Sequence, residues 1–149
     1  TNELIKATID SNKNYIVIYP NNDMGSEYII HNYNKHLDSL EKFKVFPSLR
    51  FEHFLTLLKN SEFIIGNSSA GIREAPYYGV PTINIGTRQQ NRSNNNDIVN
   101  VKNNYKEILP ERQKLTLYVI FSVKLPNFVI CGFNSLHKAP NILLLGLKP

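Results

Sequence analysis

Phe63-Ile64-Ile65-Gly66-Asn67-Ser68-Ser69-Ala70-Gly71-Ile72-Arg73-Glu74-Ala75-Pro76, continuing as Tyr77-Tyr78-Gly79-Val80-Pro81-Thr82-Ile83-Asn84-Ile85-Gly86-Thr87-Arg88-Gln89, is the stretch from which the rest of the chain can be read. Apolar residues end at Gly66, small hydroxylated residues follow, and a helical pattern begins at Ala70: strand, tight loop, helix. Such a junction suits an anion. The N–H groups of Ala70, Gly71 and Ile72 are expected to lie unpaired at the helix start, where the dipole favours negative charge. The hydroxyls of Ser68 and Ser69 add donors beside them, and phosphate is the anion that fits best.

Glu74 narrows this reading, because a bare phosphate site has no use for a carboxylate one turn into the helix. A ribose has: its vicinal hydroxyls can both donate to one carboxylate. Gly79 and Pro81 end the helix, and Thr82-Ile83-Asn84-Ile85 returns as a β-branched strand. Arg88 then leaves the C-terminal end of that strand, the edge at which open α/β sheets bind ligands. The same spacing also fits an ordinary βαβ unit with a serine cap, a solvated Glu74 and a surface Arg88.

On Gly66 to Glu74 and Gly79 to Gln89 the chain resembles the hydrolysing UDP-N-acetylglucosamine 2-epimerases of sialic-acid synthesis, and the likeness extends upstream to Tyr19-Pro20-Asn21-Asn22-Asp23-Met24-Gly25-Ser26 and fades after about Lys102. The resemblance implies the C-terminal half of an enzyme with two Rossmann-like domains, the glycosyltransferase-B arrangement. It implies that Ser68 and Ser69 meet a UDP diphosphate, Glu74 the ribose diol and Arg88 the phosphates, with Asn21 at the ligand and Leu49 near the uracil; Gly71, at the helix start, is counted with them as UDP-binding. For Asn21 the residues alone favour turn chemistry. The implied reaction removes a proton at C2 of the sugar, eliminates UDP and hydrates the resulting glycal. Its acid and base residues belong to an N-terminal domain and to a histidine on a strand before Asn2, so no catalytic residue is expected in this chain. The complete protein is expected to be a homo-oligomer acting on a UDP-sugar without a cofactor.

The 149 residues suit one soluble domain, and a hydrophobic share of 42% supports a core. The net charge of +5 raises the question of nucleic acid, yet Lys and Arg are scattered and no recognition motif accompanies them. A doubly charged UDP accounts for a mild positive bias equally well. The single Cys131 leaves no intramolecular disulfide and reads as a packed thiol. No apolar run has the length of a membrane span and no signal peptide opens the chain, so a cytoplasmic protein is expected.

Elsewhere, strands and helices are expected to alternate in a doubly wound parallel sheet. Leu4, Ile5 and Ile9 mark a helix over Asn2 to Asp10, as if a preceding strand were absent. Tyr15 to Tyr19 reads as a buried strand, and Ile30, Tyr33, Leu37 and Leu40 mark an amphipathic helix from Ser26. Its His31 and His36 stand five apart, the wrong spacing for one metal. Lys44 to Leu49 forms a strand and exit loop, and Phe51, Phe54, Leu55 and Leu58 a further helix with His53 outside. Gln89 to Asn96 is too polar to bury itself, and Asp97 to Val101 is the last regular strand.

Two units are expected: 1–109, a UDP-binding Rossmann-like domain without its first strand, and 110–149, a tail of different character. Apolar bursts at Leu115 to Phe121, Phe128 to Cys131 and Ile142 to Leu145 lack amphipathic period. They read as an altered reading frame, or alternatively as an extension forming two or three edge strands. Two other functions fit the junction: the donor-binding domain of a glycosyltransferase, and a non-catalytic nucleotide-binding module.

Overall fold

Every strand before residue 102 is four residues long and followed by a loop or helix. A computed structural model of the chain describes residues 2–19, 26–37, 39–111, 129–132 and 143–145. In chain order its elements are α1 (Asn2–Ile9), β1 (Tyr15–Ile18), α2 (Ser26–His36), β2 (Phe43–Phe46), α3 (Phe51–Lys59), β3 (Phe63–Gly66), α4 (Ala70–Tyr77), β4 (Thr82–Ile85), β5 (Ile98–Val101), β6 (Val129–Gly132) and β7 (Leu143–Leu145). Residues 105–111 are also helical.

Alternate residues of the strands feed two hydrophobic layers. Tyr15, Val17, Phe63 and Ile65 pack with Leu4 of α1, Tyr33 of α2 and Ile108, while Ile16 and Ile64 pack with Phe54 and Leu58 of α3 and Ala70 and Ala75 of α4. Both faces of the sheet are therefore covered by helices, which is why β1 and β3 read as continuous apolar runs. Tyr15 stacks on Phe43 of the neighbouring strand, ring centroids 5.2 Å apart. Lys13 pairs with the buried Glu62.

The strand order is β2-β1-β7-β6-β3-β4-β5. All pairings among β1 to β6 are parallel, whereas β7 is antiparallel to both β1 and β6. With its tail removed, this is the order expected for a doubly wound sheet with one strand missing between β1 and β3. The tail occupies that place. β6 pairs with Tyr15 and Ile16 on one side and with all four residues of β3 on the other. Farther along, β1 pairs through Val17 and Ile18 with β7.

The tail strands are thus internal, not the edge strands of the sequence reading. The reason is satisfaction of backbone groups: β1 and β3 are buried on both faces, and their N–H and C=O groups need partners from the chain itself. Leu115 to Phe121, the segment with the strongest apolar run, lies outside the described residues.

Smaller differences concern α2. It stops at His36, and Leu40 packs on the core from a turn. Ile29, not Ile30, joins Tyr33 on the buried face. His31, His36 and His53 are exposed. None of the described helices is long and apolar enough to cross a membrane, and no cluster of metal-ligating side chains occurs among the described residues.

Candidate functional site

The site is built where β3 delivers the chain to α4. The sheet holds β3 between β6 and β4, and all four of its residues are buried. α4 lies unusually close to β4 because position 71 has no side chain. A Cβ there would stand 2.7 Å from Thr82 Cγ2, and Thr82 Oγ1 donates to the Gly71 carbonyl at 2.7 Å. Gly71 thus sets the helix–sheet distance that places the N-terminus of α4.

The far end of α4 is closed by its own backbone. Gly79 takes φ +65°, its N–H donates to the Pro76 carbonyl at 3.1 Å, and the Val80 N–H reaches the Ala75 carbonyl at 2.9 Å. This is the two-bond glycine stop, with Val80 and Ala75 in the same apolar cluster.

At the N-terminus the expected unpaired donors need correction. The Ala70 N–H has a long bond of 3.3 Å to Ser68 Oγ, the Gly71 N–H reaches the Ser68 carbonyl at 3.2 Å, and the Ile72 N–H the Ser69 carbonyl at 2.9 Å. The first turn closes on itself with i→i+3 bonds because Ser69 already has helical backbone angles. Ser69 makes no capping hydrogen bond with its side chain, so its hydroxyl is free of that duty.

Glu74 stands on α4 with Oε2 shielded from solvent and without a hydrogen-bond partner among the described residues. A buried carboxylate oxygen in that state is costly unless a donor arrives. Asn67, 3% exposed, likewise has an unpartnered Oδ1. Leu49, half-buried in the loop between β2 and α3, packs against the apolar cluster that carries Ala70 and Ala75. Arg88 is exposed on the loop after β4. Asn21 lies outside the described residues.

A cavity of about 490 Å³ opens beside the N-terminus of α4, lined by Ser69, Ile72, Arg73, Gln89, Arg92 and Ser93. Of the described residues singled out from the sequence, Ser69 and Ile72 line it, whereas Leu49, Ser68, Gly71, Glu74 and Arg88 do not. Gln89, first in a run expected to stay in solvent, is 2% exposed. Its burial is sustained by two bonds: Nε2 donates to the Asn67 carbonyl at 3.1 Å, and Arg92 Nη1 donates to its Oε1 at 3.2 Å. The available signal was the glutamine that follows Arg88 directly; its long-range partner Asn67 could not be read from the sequence.

A family profile described as UDP-N-acetylglucosamine 2-epimerase matches residues 2–119, running past the point where the motifs thin out. The chain is 49% identical over 112 residues to a protein of Neisseria meningitidis serogroup B named UDP-N-acetylglucosamine 2-epimerase, covering 75% of this chain and 29% of that one. It is 30% identical over 106 residues to a Legionella pneumophila protein named UDP-N,N'-diacetylbacillosamine 2-epimerase (hydrolyzing), covering 71% and 28%. To the Escherichia coli polysialic acid biosynthesis protein P7 it is 40% identical over 87 residues, 58% of this chain and 22% of that one. The chain spans less than a third of the length of these curated relatives.

Proposed function

Since this chain belongs to the UDP-N-acetylglucosamine 2-epimerase family, we propose that it is the UDP-binding half of such an enzyme. In this reading it forms the C-terminal domain of a glycosyltransferase-B-type pair. The complete enzyme releases UDP from UDP-N-acetylglucosamine and yields an N-acetylmannosamine-type sugar for sialic-acid-type synthesis. The present chain holds the leaving group. Ser68, Ser69 and the start of α4 receive the diphosphate, Glu74 the ribose diol, Arg88 the phosphates, and Leu49 flanks the uracil. The groups that move the C2 proton are supplied by the rest of the enzyme.

The observation that carries this reading is the unpartnered Glu74 Oε2 on α4. A solvated surface glutamate would have water on both oxygens, whereas a ribose binder needs an acceptor held ready for two hydroxyls. Titration of uridine and UDP into the chain tests it. Glu74→Ala is expected to weaken both by a similar factor, about 1.5–3 kcal/mol. Arg88→Ala is expected to weaken only UDP. Equal losses of uridine affinity from the two changes refute the division of roles. Product analysis on the complete enzyme, with free UDP and N-acetylmannosamine expected, separates this reading from a glycosyltransferase, which would give a transferred glycoside.

A further inference from the structure

Ser69, Ile72 and Arg73 face the cavity from α4 at positions i, i+3 and i+4, one flank of the helix. Gly71 and Ala75 are buried against the sheet. Glu74 follows Arg73 by one residue, about 100° farther round and about 140–160° from Ser69 and Ile72, and so stands off the flank that lines the cavity. A ligand whose ribose is held by Glu74 must cross the start of α4 to reach the cavity. Its diphosphate is the part that crosses.

The cavity is equipped for negative charge. Among the described residues two arginines and two serines line it, no carboxylate does, and neither Arg73 nor Arg92 forms an ion pair. Among the described residues Arg92 differs from Arg73 and Arg88 in having its guanidinium hydrogen-bonded. Its Nη1 is bonded to the buried Gln89, whose amide is anchored in turn on the Asn67 carbonyl of the loop between β3 and α4. One of five guanidinium donors is used in this way, which leaves the others for a ligand. A guanidinium fixed beforehand loses less freedom on binding an anion than a mobile one. Arg88, four residues earlier, is exposed and does not line the cavity.

Resting on the functional reading above, we propose that Arg92, presented by Gln89, is a phosphate-binding residue that reads the second phosphate of a nucleoside diphosphate, with the cavity as the subsite for that phosphate and the group attached to it. Gln89 is a positioning residue that locks the loop after β4 to the loop after β3.

The test is calorimetric titration of uridine, UMP and UDP into the full chain and its Arg92→Ala, Arg92→Lys and Glu74→Ala variants. Arg92→Ala is expected to weaken UDP roughly ten- to a hundredfold while leaving UMP and uridine within about twofold. Arg92→Lys is expected to recover only part of the loss, since an ammonium cannot make the forked contact. Because Arg92→Ala leaves the Oε1 of the buried Gln89 without its donor, a modest fall of the unliganded unfolding midpoint is expected, and the loss confined to UDP separates binding from stability. UDP affinity indifferent to Arg92, or UMP weakened as much as UDP, overturns the assignment, and if Glu74→Ala still weakens uridine it overturns this assignment alone. An unaltered chain that binds neither uridine nor UDP overturns the functional reading and this one with it.

Discussion

A Cβ at Gly71 would meet Thr82 Cγ2 at 2.7 Å, and both residues are buried. Gly71→Ala is therefore expected to destabilise the chain by about 1–3 kcal/mol, the usual range for overpacking a core. Thr82→Ser removes the obstructing methyl and keeps the hydroxyl that donates to the Gly71 carbonyl. The double variant Gly71→Ala/Thr82→Ser is expected to recover most of that loss in urea unfolding. Additive losses would mean that the close approach of α4 is not limited by this contact. Glu74 poses a different problem at the same scale. Its Oε2 has no partner among the described residues, so Glu74→Gln supplies a neutral side chain of similar shape to that position. The expected outcome is unchanged or higher stability together with loss of uridine binding, read by thermal unfolding with and without ligand. A substitution that lowers both together would mark Glu74 as a structural residue.

Two element ends carry their own tests. The stop of α4 depends on Gly79 at φ +65°, with open space where a side chain would go. Gly79→Ala is expected to cost about 1–2 kcal/mol from backbone strain alone, without steric conflict, and Gly79→Asn less. The helical stretch 105–111 begins with a reciprocal cap: the Glu107 N–H donates to Asn104 Oδ1 at 2.9 Å, while the Glu107 carboxylate accepts from the Lys102 N–H at 2.9 Å and from Asn104 Nδ2 at 3.1 Å. The Lys102 N–H, then Asn104, hold the Glu107 carboxyl below its ordinary value. A carboxyl lowered in the folded state adds stability that is complete above its unfolded pKa and is lost as pH falls through the folded one. Glu107→Gln is therefore expected to be less stable than the unaltered chain at neutral pH, with the difference closing on acidification. A pH-independent difference would show that the charge plays no part.

For the whole molecule the decisive feature is the tail in the middle of the sheet. β6 pairs with two residues of β1 and four of β3, and β7 with two more of β1. Ending the chain at Glu111 removes those partners and leaves two apolar strands with open edges. Each buried backbone group left unsatisfied costs about 1–3 kcal/mol, and several together rival the 5–15 kcal/mol that holds a domain. The shortened chain is expected to lose its cooperative unfolding transition and to associate through the exposed edges, as followed by urea titration and sedimentation. A monomeric, cooperatively folding chain of residues 1–111 would show that β6 and β7 are dispensable. The arrangement also bears on activity. Under the function proposed above, in which the groups that act at C2 lie outside this chain, the chain by itself is expected to release no UDP from UDP-N-acetylglucosamine.

The local pattern of this protein was legible in the sequence because it is set by near neighbours. Apolar runs bounded by Gly, Pro and Asn gave β1, β3 and β4 to within a residue, and Gly79 before Pro81 gave the end of α4. Ser68, Ser69 and Glu74 stood out for the same reason: strand, loop and helix follow one another directly, so spacing alone brings them to one helix start. What spacing could not supply was any relation between distant segments. The place of β6 between β1 and β3 follows from unmet backbone pairing in the assembled sheet, and a tail without amphipathic period gives no sign of it. The burial of Gln89 follows from the Asn67 carbonyl, 22 residues away in sequence and within hydrogen-bond reach only once β3 and β4 pair. Which arginine of the loop after β4 lines the cavity was likewise decided by that loop's path in the folded protein, which brings Arg92 to the cavity beside Gln89 and leaves Arg88 outside its lining.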